Sequence, residues 1–281
     1  MSAAIAAAAV ALLAWLAIAL ARQRRREREL RLQLDAAAVE LQRMQEACAR
    51  LAPAGVVHRL VSDGLEQGGE ARAERKVVTA MFADLVGFTA MSERLEPAQL
   101  ARVLNGYFQR VSDAIHEHRG HVSTFLGDGV LAYFGAIHPN PWQAADAVRA
   151  ALAMRRAIAD YNVELAREGL PALAIGIGIH RGPGLAGLIG SRERKEYGFV
   201  GRTVNLAARV QTLTRVHGAD ILVTEAVRDE LGDAFPLEAK PAAPVKGIAE
   251  PVPTFAVGAA SDVPRRGDED HLARDARPGG G

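Results

Sequence analysis

The stretch His121-Val-Ser-Thr-Phe-Leu-Gly-Asp-Gly-Val-Leu-Ala-Tyr-Phe134 contains two short apolar runs that are joined by an Asp-Gly turn. This arrangement is a strong sequence signal for a β-hairpin, so Asp128 is predicted to lie at a hairpin tip. An earlier β-branched run, Lys76–Phe82, predicts a buried strand, and Asp84 ends it before the turn at Gly87. Aspartate is a common turn residue, so neither aspartate alone indicates a ligand.

A third segment, Glu196-Tyr-Gly-Phe-Val-Gly-Arg-Thr-Val-Asn-Leu-Ala-Ala-Arg209, places an asparagine and an arginine four residues apart. On a helix, Asn205 and Arg209 project from one face. Together the three segments resemble the catalytic domain of class III nucleotidyl cyclases, which make cyclic AMP or cyclic GMP. The resemblance runs from about Lys76 to Ala256, and it implies an α+β fold with a ferredoxin-like βαββαβ core.

The resemblance also implies roles for individual residues. Asp84 and Asp128, with Leu85, match the ligands of two Mg²⁺ (or Mn²⁺) ions, Asn205 matches the residue that positions the ribose, and Arg209 matches the residue that stabilises the transition state. For Lys246, which resembles a lysine that reaches the triphosphate, an ordinary surface lysine is the alternative. The expected substrate-binding positions are Val86, Gly87, Phe88, Thr89, Thr124, Gly198 and Lys246.

In this family the metal aspartates of one subunit and the Asn/Arg helix of the other complete each site, so a homodimer with shared active sites is expected. For Asn205 and Arg209, the alternative is a solvated helix face with a structural salt bridge. The backbone amides from Leu85 to Thr89 turn tightly around Gly87 and are expected to form an anion-binding nest for the terminal phosphates.

The positions that select the base depart from the family pattern. Adenylate-forming members carry a lysine where this chain has Thr124, and an aspartate or threonine where it has Gly198. Neither position carries the glutamate and cysteine of guanylate-forming members. Arg202 also replaces an acidic residue that is common there. ATP is the expected substrate and GTP is the alternative.

The N-terminal residues 1–22 predict a transmembrane helix, because residues 2–21 carry no charge and about 20 apolar residues span a bilayer. The arginine-rich segment Arg22–Arg26 predicts a cytoplasmic C-terminal side by the positive-inside rule. The expected protein is therefore single-pass in the inner or plasma membrane, with a cytoplasmic catalytic domain. A cleaved signal peptide ending near Ala21 is the alternative.

Residues 23–52 predict a coiled coil, because apolar residues recur with 4-3 spacing from Leu30 to Leu51. An amphipathic helix packed on its own domain is the alternative. Residues 53–75 are expected to be a transducing linker, residues 76–257 the catalytic domain and residues 258–281 a disordered tail.

Within the catalytic domain, apolar spacing predicts helices from Pro97 to about Gly120 and from Trp142 to Arg167. The segment Leu173–His180 alternates glycine with isoleucine, which predicts a strand closely approached by another element. Its glycines do not form a dinucleotide fingerprint. His180 is expected to be a strand-end polar residue and not a ligand.

Composition excludes two classes of protein. Lys and Arg (34) nearly balance Asp and Glu (33), and aromatic residues are sparse, so nucleic acid is not an expected partner. Cys48 is the single cysteine, which excludes an intrachain disulfide framework. Two functional alternatives to a cyclase stay open: an inactive cyclase-like module that signals by conformation, and a coiled-coil membrane scaffold.

Overall fold

The structure, a computed structural model, describes residues 73–190, 195–245, 248 and 250–258, and four isolated N-terminal positions. Those positions, Trp15, Arg31, Leu34 and Val39, are helical and exposed. The predicted transmembrane helix and coiled coil otherwise fall outside the described residues, as do nearly all of the predicted linker and tail. Among the described residues, none of the helices combines the length and the apolar character needed to span a membrane.

The chain divides into two compact units, Met1–His58 and Arg59–Gly281, and the second contains the following strands and helices. In chain order they are β1 (Glu74–Leu85), α1 (Phe88–Arg94), α2 (Pro97–Glu117), β2 (Gly120–Leu126), β3 (Gly129–Phe134), α3 (Gln143–Arg167), β4 (Ile175–Gly190), β5 (Lys195–Val200), α4 (Arg202–His217), β6 (Ile221–Thr224), α5 (Glu225–Leu231), β7 (Leu237–Ala243) and β8 (Val252–Val257).

The strands form one mixed sheet in the order β2-β3-β1-β4-β6-β8-β7, and β5 pairs with β4 beside this path. The pairs β2–β3, β3–β1 and β1–β4 are all antiparallel. With α2 between β1 and β2 and α3 between β3 and β4, these four strands make a βαββαβ unit, as predicted. Strand β6 extends the sheet and runs parallel to β4.

Strand β1 separates the two faces of the sheet because its side chains alternate. Met81, Ala83 and Leu85 lie in the larger core cluster, which α2 and α3 cover. Val78 and Ala80 lie in a second cluster on the opposite face, where α4 packs. The predicted apolar stripe of α2 is confirmed, since its core-facing members are buried: Val103, Tyr107, Val111, Ala114 and Ile115.

Helix α4 lies directly against glycines of β4. A Cβ atom built at Gly178 would come 2.1 Å from the backbone nitrogen of Gln211 and 2.5 Å from the carbonyl oxygen of Ala207. The predicted close approach at the glycine-isoleucine segment is therefore confirmed, and the approaching element is a helix. This contact fixes the height of α4 above the strand.

Several boundaries differ from the sequence-based expectations, mainly those of β1 and β4. Strand β1 begins at Glu74, inside the predicted linker, and Leu85 extends it one residue beyond Asp84. Strand β4 continues to Gly190 because its second half pairs with β5. His180 therefore lies in the middle of the strand and not at its end.

His180 contributes to the packing of the sheet. Its Nδ1 atom lies 2.8 Å from the hydroxyl oxygen of Thr224 on β6. Burial lowers the pKa of His180 to about 4, so the ring is neutral near pH 7.

Candidate active site

Asp84 and Asp128 meet at one end of the sheet because of the register between β1 and β3. Ala83 pairs with Val130, so Asp84, the next residue along β1, lies beside the turn that leads into β3. Asp128 occupies that turn, between the end of β2 at Leu126 and the start of β3 at Gly129. The predicted hairpin and the position of Asp128 at its tip are both confirmed.

The two carboxylates strongly affect each other. Burial, a hydrogen bond to Asp128 and repulsion from its charge raise the pKa of Asp84 to about 6, against smaller opposing effects of Arg215 and the Leu85 backbone. Two carboxylates this close are unfavourable when both are ionised, and a divalent cation between them would remove that repulsion. The pair therefore has the electrostatic character of a cation site.

The donor set fits a hard divalent ion. Two carboxylates and the neighbouring carbonyl oxygen of Leu85 are the oxygen ligands that Mg²⁺ and Mn²⁺ prefer. No group of three or more acidic, histidine or cysteine side chains suited to a metal is found in the part of the chain that the structure describes. Asp84 and Asp128 are the side chains at this end of the sheet that could hold a metal ion.

Arg215 is a residue of the site that the sequence did not predict. Its Nη2 atom lies 3.4 Å from Oδ2 of Asp84 and 3.4 Å from the carbonyl oxygen of Leu85. Arg215 lies near the C-terminal end of α4, six residues beyond Arg209. At about 100° per residue, this spacing places Arg215 roughly 120° away from Arg209 around the helix. The sequence pattern that put Asn205 and Arg209 on one helix face therefore could not identify Arg215.

Asn205 and Arg209 both lie on α4, as predicted, and both are exposed. Four residues turn the helix by about 40° beyond a full circle, so the two side chains share one face. Among the described residues, no hydrogen bond or ion pair connects either side chain with Asp84 or Asp128.

The loop after Asp84 turns at Gly87, whose φ of 75° is the left-handed conformation that favours glycine. Helix α1 then begins at Phe88. The amide of Val86 donates a hydrogen bond to the carbonyl oxygen of Ala174 at 2.8 Å. The Val86 amide is therefore not available to a phosphate, and the predicted nest over Leu85 to Thr89 has to be corrected at this position. Beyond Val86, the amides that could still bind a phosphate are those of residues 87–89.

The two expected base-contacting positions lie on different strands. Thr124 is half-buried in β2, opposite Leu131. Gly198 lies in β5, opposite Gly187 of β4. A Cβ atom built at Gly198 would meet no atom within 4 Å. The next residue along β5 is held in place, because the Tyr133 hydroxyl donates to the carbonyl oxygen of Phe199 at 3.2 Å. Lys246 lies outside the described residues.

Tyr107 lies in the core of the protein near the aspartate pair. It is fully buried on α2, and its hydroxyl has no hydrogen-bond partner among the described residues. Burial, followed by the charges of Asp84 and Asp128, raises the pKa of Tyr107 well above its ordinary value. The hydroxyl of Tyr107 therefore stays protonated. The sequence pattern had predicted Tyr107 only as a core residue of α2.

Comparison with known proteins agrees with this geometry. Residues 71–258 match the family model described as the adenylate and guanylate cyclase catalytic domain. The chain is 31% identical over 192 residues to an adenylate cyclase of Anabaena cylindrica and 34% identical over 194 residues to adenylate cyclase 1 of Rhizobium meliloti. These matches cover 67% and 68% of this chain but only 37% and 29% of the two relatives, so the chain spans about a third of their length.

Solved structures show the same similarity. The crystal structure of the adenylyl cyclase CyaB from P. aeruginosa superposes with a TM-score of 0.65 at 30% identity, covering 69% of this chain and 100% of that one. The guanylyl cyclase Cya2 gives a TM-score of 0.64 at 33% identity, covering 69% of this chain and 96% of the other. The protein belongs to the family of adenylate and guanylate cyclase catalytic domains.

Proposed function

We propose that the protein is a homodimeric nucleotidyl cyclase that converts ATP into cyclic AMP and pyrophosphate with two Mg²⁺ or Mn²⁺ ions at each site. The observation that carries the proposal is the meeting of Asp84 and Asp128 at the end of the sheet, on the same chain as an exposed Asn205 and Arg209. Family membership supports the type of reaction, in which the ribose 3′-oxygen attacks the α-phosphorus and pyrophosphate leaves.

The chain's own residues have distinct roles in this proposal. Asp84, Asp128 and the Leu85 carbonyl group would hold the metal ions. Bound divalent ions lower the pKa of the attacking hydroxyl and offset the negative charge of the leaving pyrophosphate. The backbone after Asp84, at residues 87–89, would hold the terminal phosphates.

Asn205 and Arg209 would act on the nucleotide held by the other subunit. Arg209 donates hydrogen bonds to phosphate oxygens as negative charge builds up around the α-phosphorus, a task that suits the planar fork of guanidinium. Asn205 orients the ribose. Lys246 would contact the triphosphate.

Exposed apolar side chains near both halves of the site support the homodimer. Phe125 and Leu126, beside Asp128, are 46% and 52% exposed, and Val200, just before α4, is 57% exposed. Apolar surface of this kind at a functional site is typical of an interface. Contact between two copies would cover it and bring the Asn/Arg pair of one chain to the aspartates of the other.

The N-terminal part of the proposal rests on the sequence alone. The uncharged residues 2–21 would anchor the protein in the inner or plasma membrane, with the catalytic domain in the cytoplasm. The coiled coil over residues 23–52 would hold two catalytic domains at high effective concentration.

GTP is the alternative substrate. Thr124 and Gly198 lack the side chains expected for adenine, and the guanylyl cyclase Cya2 is among the similar structures. The residues at these two positions therefore do not decide between ATP and GTP, and cyclic GMP is a second product to test for. Adenylate cyclases among the related sequences favour ATP.

The test is to incubate the purified full chain with ATP or GTP and Mn²⁺ or Mg²⁺ and to identify the products by mass spectrometry. We expect cyclic AMP, with the product lost in Asp84→Ala and kept in Asp113→Ala, which changes an exposed aspartate of α2. If a folded, dimeric protein cyclises neither nucleotide, the inactive signalling module replaces this proposal. If cyclic GMP forms in preference, the substrate assignment is wrong.

A further inference from the structure

We infer that Arg215 is a displaceable cation that competes with the metal ion for the oxygens of Asp84 and Leu85. The inference rests on the proposed function, because it concerns the metal ions of that same site. It adds a residue that neither the sequence pattern nor the comparisons identify.

Arg215 contacts the same oxygens that are assigned to the metal. One nitrogen of the Arg215 guanidinium lies 3.4 Å from both the Oδ2 atom of Asp84 and the carbonyl oxygen of Leu85. These are two of the three groups assigned to the metal. A divalent ion held by both oxygens would share both of these ligands with the Arg215 nitrogen. Since both groups are cationic, they cannot occupy this position together.

Arg215 is loosely held at this position. Distances of 3.4 Å are longer than those of a strong charged hydrogen bond, which are about 2.7–2.9 Å. The Arg215 side chain is 55% exposed, against 25% for the carboxylate that it contacts. An exposed pair of this kind contributes little to stability and can open without unfolding the protein.

The contrast with Asp146 shows what a structural ion pair looks like in the same fold. The Asp146 side chain is only 4% exposed, and it accepts hydrogen bonds from Arg119 and Asn140 at 2.8 Å each. Such a carboxylate is closed off by its partners. The Asp84–Arg215 contact has the opposite character, because it is long and open to solvent.

The fold limits how Arg215 can approach the end of β1. Helix α4 cannot move closer to or slide easily along β4, because its backbone is in contact with Gly178. Arg215 therefore approaches the end of β1 from a fixed helix, and only its side chain has to move when a metal ion binds. Metal binding at this site includes the displacement of that side chain, which lowers the apparent metal affinity.

The test measures Mn²⁺ binding to the full chain by electron paramagnetic resonance, which detects free Mn²⁺ and does not depend on turnover. We expect Arg215→Gln to bind Mn²⁺ about three- to tenfold more tightly than the wild type, because it removes both the competitor and its charge. Arg215→Lys keeps the charge and should stay close to the wild type. Arg156→Gln, which removes an exposed arginine of α3 on the opposite face of the sheet, is the charge-matched control.

Asp84→Asn identifies the site that is being measured. If the wild type shows no Mn²⁺ binding that depends on Asp84, this inference and the metal part of the proposed function are both wrong. If Asp84-dependent binding exists but Arg215→Gln leaves it unchanged or weakens it, only the competition is wrong. An equal gain in Arg156→Gln would also contradict it, because the effect would then be one of net charge.

Discussion

Asp84 lies near the end of β1 and Asp128 in the turn between β2 and β3, yet their carboxylates lie within hydrogen-bonding reach at the end of the β1–β3 pair. The sheet brings together two groups that repel each other when ionised. Such an arrangement favours function over stability, because the folded protein holds two negative charges that the unfolded chain would separate.

The first prediction is that Asp84→Asn raises the stability of the metal-free protein at pH 7.5. The pKa of Asp84 is about 6 in the folded protein and about 3.8 in the unfolded chain. Between these values the folded state binds more protons, so the free energy of unfolding falls as the pH rises through 6. We expect a gain of about 1 kcal/mol, discounted for the partial exposure of the site.

Thermal melts in EDTA between pH 4 and pH 8 would measure this effect. The gain should shrink as the pH falls towards 4, where Asp84 is protonated in the folded state. Asp113→Asn serves as the exposed control and should follow the wild type. A melting temperature below that of the wild type for Asp84→Asn at pH 7.5 would contradict the prediction, because it would show that repulsion between the two carboxylates does not destabilise the folded protein.

The second prediction concerns the contact that fixes α4. Gly178→Ala should destabilise the protein by about 3 kcal/mol, because the new methyl group would overlap the backbone of Gln211 and Ala207. Gly198→Ala is the matched control in the neighbouring strand β5. Its methyl group enters open space, so its effect should stay within about 0.5 kcal/mol.

Urea denaturation of the two glycine variants would give both values. Equal stability of the two variants would mean that the helix can move away from β4 without cost. In that case the fixed position of Arg215 and of the Asn/Arg face would lose its structural basis.

The third prediction is that the double change Thr124→Lys and Gly198→Asp increases the preference for ATP over GTP at least about tenfold. The two side chains restore the polar groups that adenylate-forming members present to the base, and each such contact discriminates by about 1–3 kcal/mol. The backbone at Gly198 accepts a side chain, since a Cβ atom built there meets nothing within 4 Å.

The ratio of kcat/KM for ATP to that for GTP is the measurement. The single change Gly198→Ala fills the same space without a polar group and should leave the ratio unchanged. An unchanged ratio in the double variant would show that these two positions do not contact the base, and a shift towards GTP would show that the assigned preference is wrong.

Much of this fold could be predicted because its strongest signals are local. The Asp-Gly turn at Asp128, the proline that begins α2 and the apolar stripe of α2 depend on residues close together in the sequence. The glycine-isoleucine alternation indicated close packing. It could not say that the neighbour is α4, because that contact joins distant segments.

The parts of the site that were missed all depend on tertiary register. Arg215 reaches Asp84 only because α4 crosses β4 at a certain height, and nothing in its own segment shows this. The amide of Val86 is occupied by Ala174, a residue far away in the sequence. Strand β5 was missed although it contains the β-forming residues Tyr197, Phe199 and Val200, because it is only six residues long and is defined by its pairing with the distant strand β4.

The central claim is that each active site is shared by two copies of the chain, and mixing two inactive variants tests it most directly. Asp84→Ala removes one half of each site and Arg209→Ala removes the other. Half of the dimers in an equal mixture are heterodimers with one intact site of two, so cyclase activity should return to about a quarter of the wild-type value.

Asp84→Ala mixed with Asp128→Ala is the control, because both changes affect the same half and no intact site can form. Production of cyclic nucleotide is measured once the heterodimer has been verified. The shared-site account predicts recovery in the first mixture alone. No recovery from verified heterodimers of Asp84→Ala and Arg209→Ala, or equal recovery in both mixtures, would contradict it.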